Sequence, residues 1–345
     1  MNYRFGTLVR FGIAIAAVAG AAHCTQSSVE GTSTQSSPLL NAPLDSGDTF
    51  SVGVCGGVPN QNPDAGTVGA CLVHGHRCTG TLIAPNLVLT ARHCVDEPVF
   101  TNSNFCQNTW AGNLSPTSVT LSSSTIEGSP QWLDVREIRV PAGNNNCDDD
   151  MALLVLASNV PSSAARPASV DVDRDIALAP PSSITIVGRG AISEYFDADA
   201  GTDTVDQAGL ERRILRHIPF VCASDTSGTC VVTDTSSPPS NTFALPKSLV
   251  QFGPAGAPGD SGSGFLEQCS YAAGKPVVLG VNTLGTYGFD GHPDATIGVR
   301  ASFQKDFLVT GAHHAASIGG YPVPSWASDD ERVPETVGGN NLIWD

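Results

Sequence analysis

Three short stretches of the chain each set one reactive side chain in a small-residue or apolar frame. They carry an imidazole in Thr90-Ala91-Arg92-His93-Cys94, a carboxylate in Asp150-Met151-Ala152-Leu153-Leu154 and a hydroxyl in Gly259-Asp260-Ser261-Gly262. Acyl transfer by serine needs these parts: a base in contact with the hydroxyl, a group that orients the base, and N–H donors where the oxyanion forms. Gly259, two positions before the serine, permits a backbone turn that aims its N–H at the oxyanion, so Gly259 and Ser261 are the expected oxyanion hole. Asp148 and Asp149 adjoin Asp150, and an acidic triplet is commonly a solvated turn or a cation site. A strand starting at Asp150 buries that carboxylate against Met-Ala-Leu-Leu, and this register singles it out.

The elements that must hold these groups read as strands. Short β-branched and apolar runs broken by Gly, Pro, Asn and Asp recur at 51–54, 81–84, 87–90, 118–121, 133–140, 152–156, 184–187, 277–281 and 296–299. Many short strands at close spacing indicate a β-sandwich or barrel. The clearest helix lies over 302–316, which lacks Pro and carries Phe303, Phe307 and Leu308 at helical spacing. Polar insertions are expected at 100–130, 193–209 and 222–246, with an irregular tail after Gly319. A chain of 345 residues with 14% charged residues, 36 Gly and 24 Pro suits a turn-rich β protein and argues against a coiled coil.

The formal charge of −16, with Lys247, Lys275 and Lys305 as the only lysines, argues against a nucleic-acid partner. Arg4 and Arg10 precede an apolar run over 11–22 that ends in small residues, the pattern of a secretory signal cleaved near Ala21 or Ala22. The run is too short for a lasting membrane span. Cys24 following small residues also fits a lipid-anchored export signal, although His23 stands where Gly, Ala or Ser is usual. The expected organisation is therefore a signal over 1–22, a Ser/Thr-rich solvated linker or pro-segment over 23–48, a catalytic domain over 49–318 and a tail over 319–345. Ten cysteines in an exported chain read as disulfides. Proximity in sequence suggests Cys55–Cys71, Cys106–Cys147 and Cys222–Cys230. No CxxC pair occurs, and His74, His76, His217, His292, His313 and His314 do not form a cluster at zinc spacing, so no metal is expected.

The order His93, Asp150, Ser261 and the residues around each resemble the trypsin-like (chymotrypsin-class) serine proteases. Cys78 and Cys94 stand sixteen positions apart with His93 next to the second, as in that family's histidine loop. Asp150-Met-Ala-Leu-Leu is similar to its Asp-Ile-Ala-Leu-Leu, Ile184–Gly190 to its strand ending Gly-Trp-Gly, Val278–Gly285 to its cleft-lining strand, and Ile297–Phe303 to the segment before its terminal helix. The likeness covers roughly 49–312. It implies an all-β fold of two six-stranded antiparallel β-barrels with a C-terminal helix. It also implies a Cys78–Cys94 disulfide and a secreted endopeptidase that acts as a monomer on polypeptides without a cofactor. His93 would be the base, Asp150 its orienter and Ser261 the nucleophile.

Four departures qualify the likeness. The family frees an amino terminus, usually after Lys or Arg, whose ammonium pairs with the Asp before the nucleophile, here Asp260. No Lys or Arg occurs between Arg10 and Arg77. Ala257 and Ile184 stand where two of the family's cysteines would be. Ala255 takes the position of the pocket-base Asp of trypsin, so a pocket formed by Ala255, Gly256, Thr283, Gly285 and Gly298 would be open and uncharged, favouring an apolar residue before the scissile bond. Ser263 and Thr283 replace a Gly and a Ser of the pattern. Two other readings follow: a latent or non-catalytic binding protein on the protease scaffold, and an esterase using the same chemistry.

Overall fold

The computed structural model describes residues 39, 42–45, 47–56, 76–99, 106, 108–122, 132–190, 193–197, 202–206, 212–225, 228–234, 241–287 and 293–328. Six strands form a first closed barrel: β1 (Ser51–Gly56), β2 (His76–Ala84), β3 (Leu87–Thr90), β4 (Val119–Ser122), β5 (Trp132–Arg139) and β6 (Ala152–Leu156). Around the ring their order is β1-β2-β3-β6-β5-β4, every pair antiparallel. β3 and β6, the strands nearest the imidazole and the carboxylate, are buried at every position. The apolar runs Leu-Val-Leu and Ala-Leu-Leu-Val-Leu therefore fix where those two groups emerge.

The second sheet contains β7 (Ser169–Val170), β8 (Ser183–Gly188), β9 (Arg213–Ala223), β10 (Leu249–Phe252), β11 (Gly264–Glu267), β12 (Val277–Tyr287) and β13 (Pro293–Arg300). β11 pairs with both β8 and β12, so six strands run round a ring β8-β9-β10-β13-β12-β11, and β7 adds to β12 in parallel. Both rings thus connect their first to sixth strands in the same order, 1-2-3-6-5-4. The two-barrel architecture expected from the likeness is the one observed. Its interior is filled by Ile184, Ile186, Phe252 and Phe265, with the two phenylalanine rings edge-to-face at 4.9 Å.

Smaller hairpins, absent from the strand runs read in the sequence, occupy the insertions: Asp96–Val99 with Thr109–Asn113, Ser193–Asp197 with Thr202–Asp206, and Val231–Asp234 with Asn241–Ala244. A short helix α1 (Gln268–Ala272) follows β11. The C-terminal helix α2 (Lys305–Gly319) begins after a 3-10 turn, Ala301–Gln304, and ends at Gly320 in the left-handed conformation. It buries Leu308, Gly311, Ala312, Ala315 and Ala316. These small residues allow close approach to the first barrel. A Cβ at Gly311 would lie 2.2 Å from Leu153 Cδ1.

Both ends of the folded unit reach further than composition suggests. Leu39 and Ala42, in the stretch read as solvated linker, are buried among second-barrel residues. Leu39 N–H donates to Ala255 O at 2.8 Å, and Asp45 N–H donates to Arg212 O at 2.8 Å. The fully buried Arg212 lies 3.1 Å from Asp45 Oδ2 and donates to Asp48 O at 2.8 Å. After α2, Tyr321 donates to Asn86 Oδ1 at 2.6 Å and Trp326 to Ile83 O at 3.3 Å, tying the start of the tail to the first barrel. The proposed signal, Cys24 and Cys71 lie outside the described residues. No helix among the described residues is long and apolar enough to cross a membrane.

Candidate active site

The imidazole is set by a turn held from three sides. β3 ends at Thr90, and Arg92–Cys94 form a single 3-10 turn. Cys94 is bonded to Cys78 of β2, with Cα atoms 5.9 Å apart. Arg92 is buried beside His93. Its Nε donates to Asp96 Oδ2 and its guanidinium to Gly143 O, each at 2.9 Å, and it stacks 4.8 Å from the centre of the Trp110 ring. Asp96 Oδ1 in turn accepts the Gly112 N–H at 2.7 Å. This clamp was not legible in the sequence, where Arg92 was only a neighbour of the histidine.

Asp150 is fully buried just before β6 and grips the same residue twice. Its Oδ2 lies 2.8 Å from His93 Nδ1, and its Oδ1 accepts the His93 backbone N–H at 2.9 Å. Burial pulls the imidazole pKa down, but the charge of Asp150 and its hydrogen bond outweigh this, so His93 sits above its ordinary 6.5. The competing acids face elsewhere. Asp148 bonds the Ser248 hydroxyl and, through its carbonyl, Gln304 Nε2; Asp149 Oδ2 accepts Asn145 N–H at 2.9 Å. Of the three acids, Asp150 is the one on the histidine.

Ser261 lies in the loop between β10 and β11. Gly259 and Gly262 both have positive φ, +96° and +86°. A Cβ on Gly262 would come within 2.1 Å of Thr79 O and of Thr90 Oγ1, so glycine is required there. Between them, buried Asp260 accepts N–H bonds from Gly190 at 2.8 Å and from Ala257 at 2.9 Å. Ser263, which replaces a glycine of the family pattern, donates its hydroxyl to Asp260 O at 2.6 Å. Among the described residues, neither the Gly259 nor the Ser261 N–H donates a hydrogen bond within the protein.

β2 joins the two loops. Thr79 N–H donates to Ser261 O at 2.7 Å, and its hydroxyl donates to Gly259 O at 3.0 Å while accepting the Arg189 N–H at 3.0 Å. Thr81, two residues on and hence on the same strand face, accepts the Gly264 N–H at 3.1 Å. Gly80 points the other way, toward Val88, Val52 and Val54. The Thr-Gly-Thr run next to Cys78 was the available signal for this role, but its partners lie about 180 residues away.

Of the pocket residues, Ala255 is buried and Gly256 N–H donates to Thr296 Oγ1 at 2.9 Å. Thr283 and Gly285 lie on β12. Gly298 on β13 packs into the sheet: a Cβ there would meet Val281 O at 1.9 Å and the Phe265 ring at 2.5 Å. Disulfides Cys106–Cys147 and Cys222–Cys230 form as sequence proximity suggested, and Cys55 is also disulfide-bonded. The Cys78 and Cys94 sulfurs closest to His93 are joined to each other, so they offer no thiolate to a metal.

Residues 54–305 match the family model described as Trypsin, a span running from within β1 to the first residue of α2. No curated protein matches the chain.

Proposed function

The chain belongs to the trypsin family, a family of serine endopeptidases, and on that premise we propose that it hydrolyses peptide bonds through an acyl-enzyme at Ser261. His93 takes the Ser261 proton as general base and returns it to the leaving amine as general acid. Asp150 holds the imidazole in the tautomer with Nδ1 protonated and stabilises the imidazolium as it forms. The Gly259 and Ser261 N–H groups receive the oxyanion. One observation carries this reading above the rest: the buried Asp150 carboxylate bonds both the ring and the backbone of His93, which fixes the base in orientation as well as position.

We read the protein as an exported monomer acting on polypeptides, with a signal over 1–22 and, as the alternative to free secretion, a lipid anchor at Cys24. The uncharged pocket disfavours Lys and Arg before the scissile bond, because nothing at Ala255 would neutralise a buried cation. Asp260, the residue the family uses in activation, already receives two backbone amides here. If the protein is made as a zymogen, the cut that matures it is not tryptic, since no Lys or Arg lies between Arg10 and Arg77.

The test is a fluorophosphonate probe on the exported protein, beside Ser261→Ala and His93→Ala, with the adduct mapped by mass spectrometry. Labelling confined to Ser261 and lost in both variants is expected. Folded protein that takes no label, before or after limited proteolysis, overturns the reading in favour of a binding protein on the same scaffold.

A further inference from the structure

The residue at 282 is an asparagine, 4% exposed, on the strand β12 that supports the Ser261 loop. Its backbone is pinned to that loop twice: Gly262 N–H donates to Asn282 O at 2.7 Å, and Asn282 N–H to Ser263 O at 2.9 Å. Its side chain is pinned as well, Nδ2 donating to Asp260 O at 3.1 Å. A carbonyl oxygen accepts and cannot donate, so this bond decides which end of the amide is which. Oδ1 is therefore a fixed, buried acceptor, and among the described residues no group bonds it.

Oδ1 adjoins the proposed specificity pocket. A Cβ built on Gly256 would lie 3.1 Å from Asn282 Nδ2 and 3.7 Å from Oδ1. With no Cβ, the Gly256 backbone packs directly beside this amide. Thr296, the other polar group against it, already accepts the Gly256 N–H. Ala255, fully buried, contributes no polar side-chain atom.

We propose that Asn282 sets primary specificity, so that the residue preceding the scissile bond is a neutral hydrogen-bond donor, a carboxamide or hydroxyl side chain, rather than the plain apolar residue that an uncharged pocket suggests. The inference rests on the protease reading above. An apolar side chain in the pocket leaves Oδ1 buried and unpaired, a carboxylate brings no proton to share, and a neutral amide cannot balance a Lys or Arg charge. A carboxamide or hydroxyl satisfies the acceptor, and sites built to bond a substrate donor reject analogues lacking it by large factors.

The experiment compares kcat/KM for peptides differing only in that residue, in near-isosteric pairs: Gln against Met, Asn against Leu, Thr against Val. The wild type is expected to favour the donor of each pair by about tenfold or more. Asn282→Val is expected to bring the ratio near unity. Asn282→Thr is expected to do the same, while its hydroxyl can still serve Asp260 O. Ratios are taken within each protein, so a general loss of activity does not enter them. A wild-type preference for the apolar partner overturns the inference, and so does a donor preference that survives in both variants. Ser261 labelling by the fluorophosphonate, which carries no such residue, separates the two levels. Labelling with an apolar preference sinks only the role of Asn282, whereas no labelling sinks the protease reading and this inference with it.

Discussion

The backbone amide of Thr79 donates a 2.7 Å hydrogen bond to the carbonyl of Ser261, so the strand that carries the Cys78–Cys94 disulfide also holds the Ser261 loop. The link is short in space and long in sequence. Cys78, the adjacent residue, is bonded to Cys94, and Cys94 follows His93. The His93 and Ser261 loops are therefore registered against one another through two neighbouring residues of β2.

Replacing Thr79 tests this coupling. Thr79→Val removes the hydroxyl, leaving Gly259 O and the Arg189 N–H without their bond. A cost of about 1–3 kcal/mol in unfolding free energy is expected, with a fall in kcat as the Gly259 N–H loses its setting. Thr79→Ser keeps the hydroxyl and should restore most of both. Denaturant unfolding and steady-state kinetics on the pair check this.

Opening the Cys78–Cys94 disulfide, by Cys78→Ser with Cys94→Ser, removes a closure of sixteen positions. The chain-entropy estimate for a loop of this size is about 3 kcal/mol. Thermal unfolding should fall accordingly, and kcat should drop with it because Arg92–Cys94 forms a single turn. Unchanged kcat in the double variant would mean that the Arg92 clamp alone positions the imidazole.

The pH profile follows from the His93–Asp150 pair. Burial lowers the imidazole pKa and Asp150 raises it by more, so the acid limb of kcat/KM is expected above pH 6.5. Asp150→Asn leaves the burial and removes the charge, so the limb should move below that value, with kcat down by about 10⁴-fold as expected for a misoriented tautomer. The stability sign is that of a raised histidine. The contribution is full below pH 6.5 and is lost as pH rises through the native pKa. The melting-temperature gap between wild type and Asp150→Asn should accordingly narrow on going from pH 6 to pH 9.

Arg212 anchors the stretch that precedes β1. Arg212→Ala leaves Asp45 buried without its cation, a change that costs about 3–5 kcal/mol when such a pair is broken from one side. Limited proteolysis should then cut within 39–48 sooner than in wild type. Equal protection of that stretch in both proteins would show that Leu39 and Ala42 hold it unaided.

Much of the candidate site was legible because its signals are local. His93, Asp150 and Ser261 each sit in a frame of a few residues, and the runs Leu87–Thr90 and Ala152–Leu156 form strands where their composition put them. The C-terminal helix was legible for the same reason, although its first turn is 3-10 and its end runs to Gly319. Strands such as Arg213–Ala223 were not, because exposed residues interrupt their apolar pattern. Leu39 and Ala42 were hidden in a Ser-rich stretch whose average polarity says nothing of two buried side chains.

By itself, the sequence determined which chemical groups the protein has and in what order. That information lies in residue type and short spacing, and no folding can alter it. Which of Asp148, Asp149 and Asp150 meets the imidazole, that Thr79 holds the Ser261 loop, and that Asn282 points a fixed amide at Gly256 were decided only by the tertiary structure. Each depends on strand register and ring closure between residues far apart in the chain. A shift of one residue in β2 would turn Thr79 and Thr81 to the opposite face, and no local pattern records which face that is.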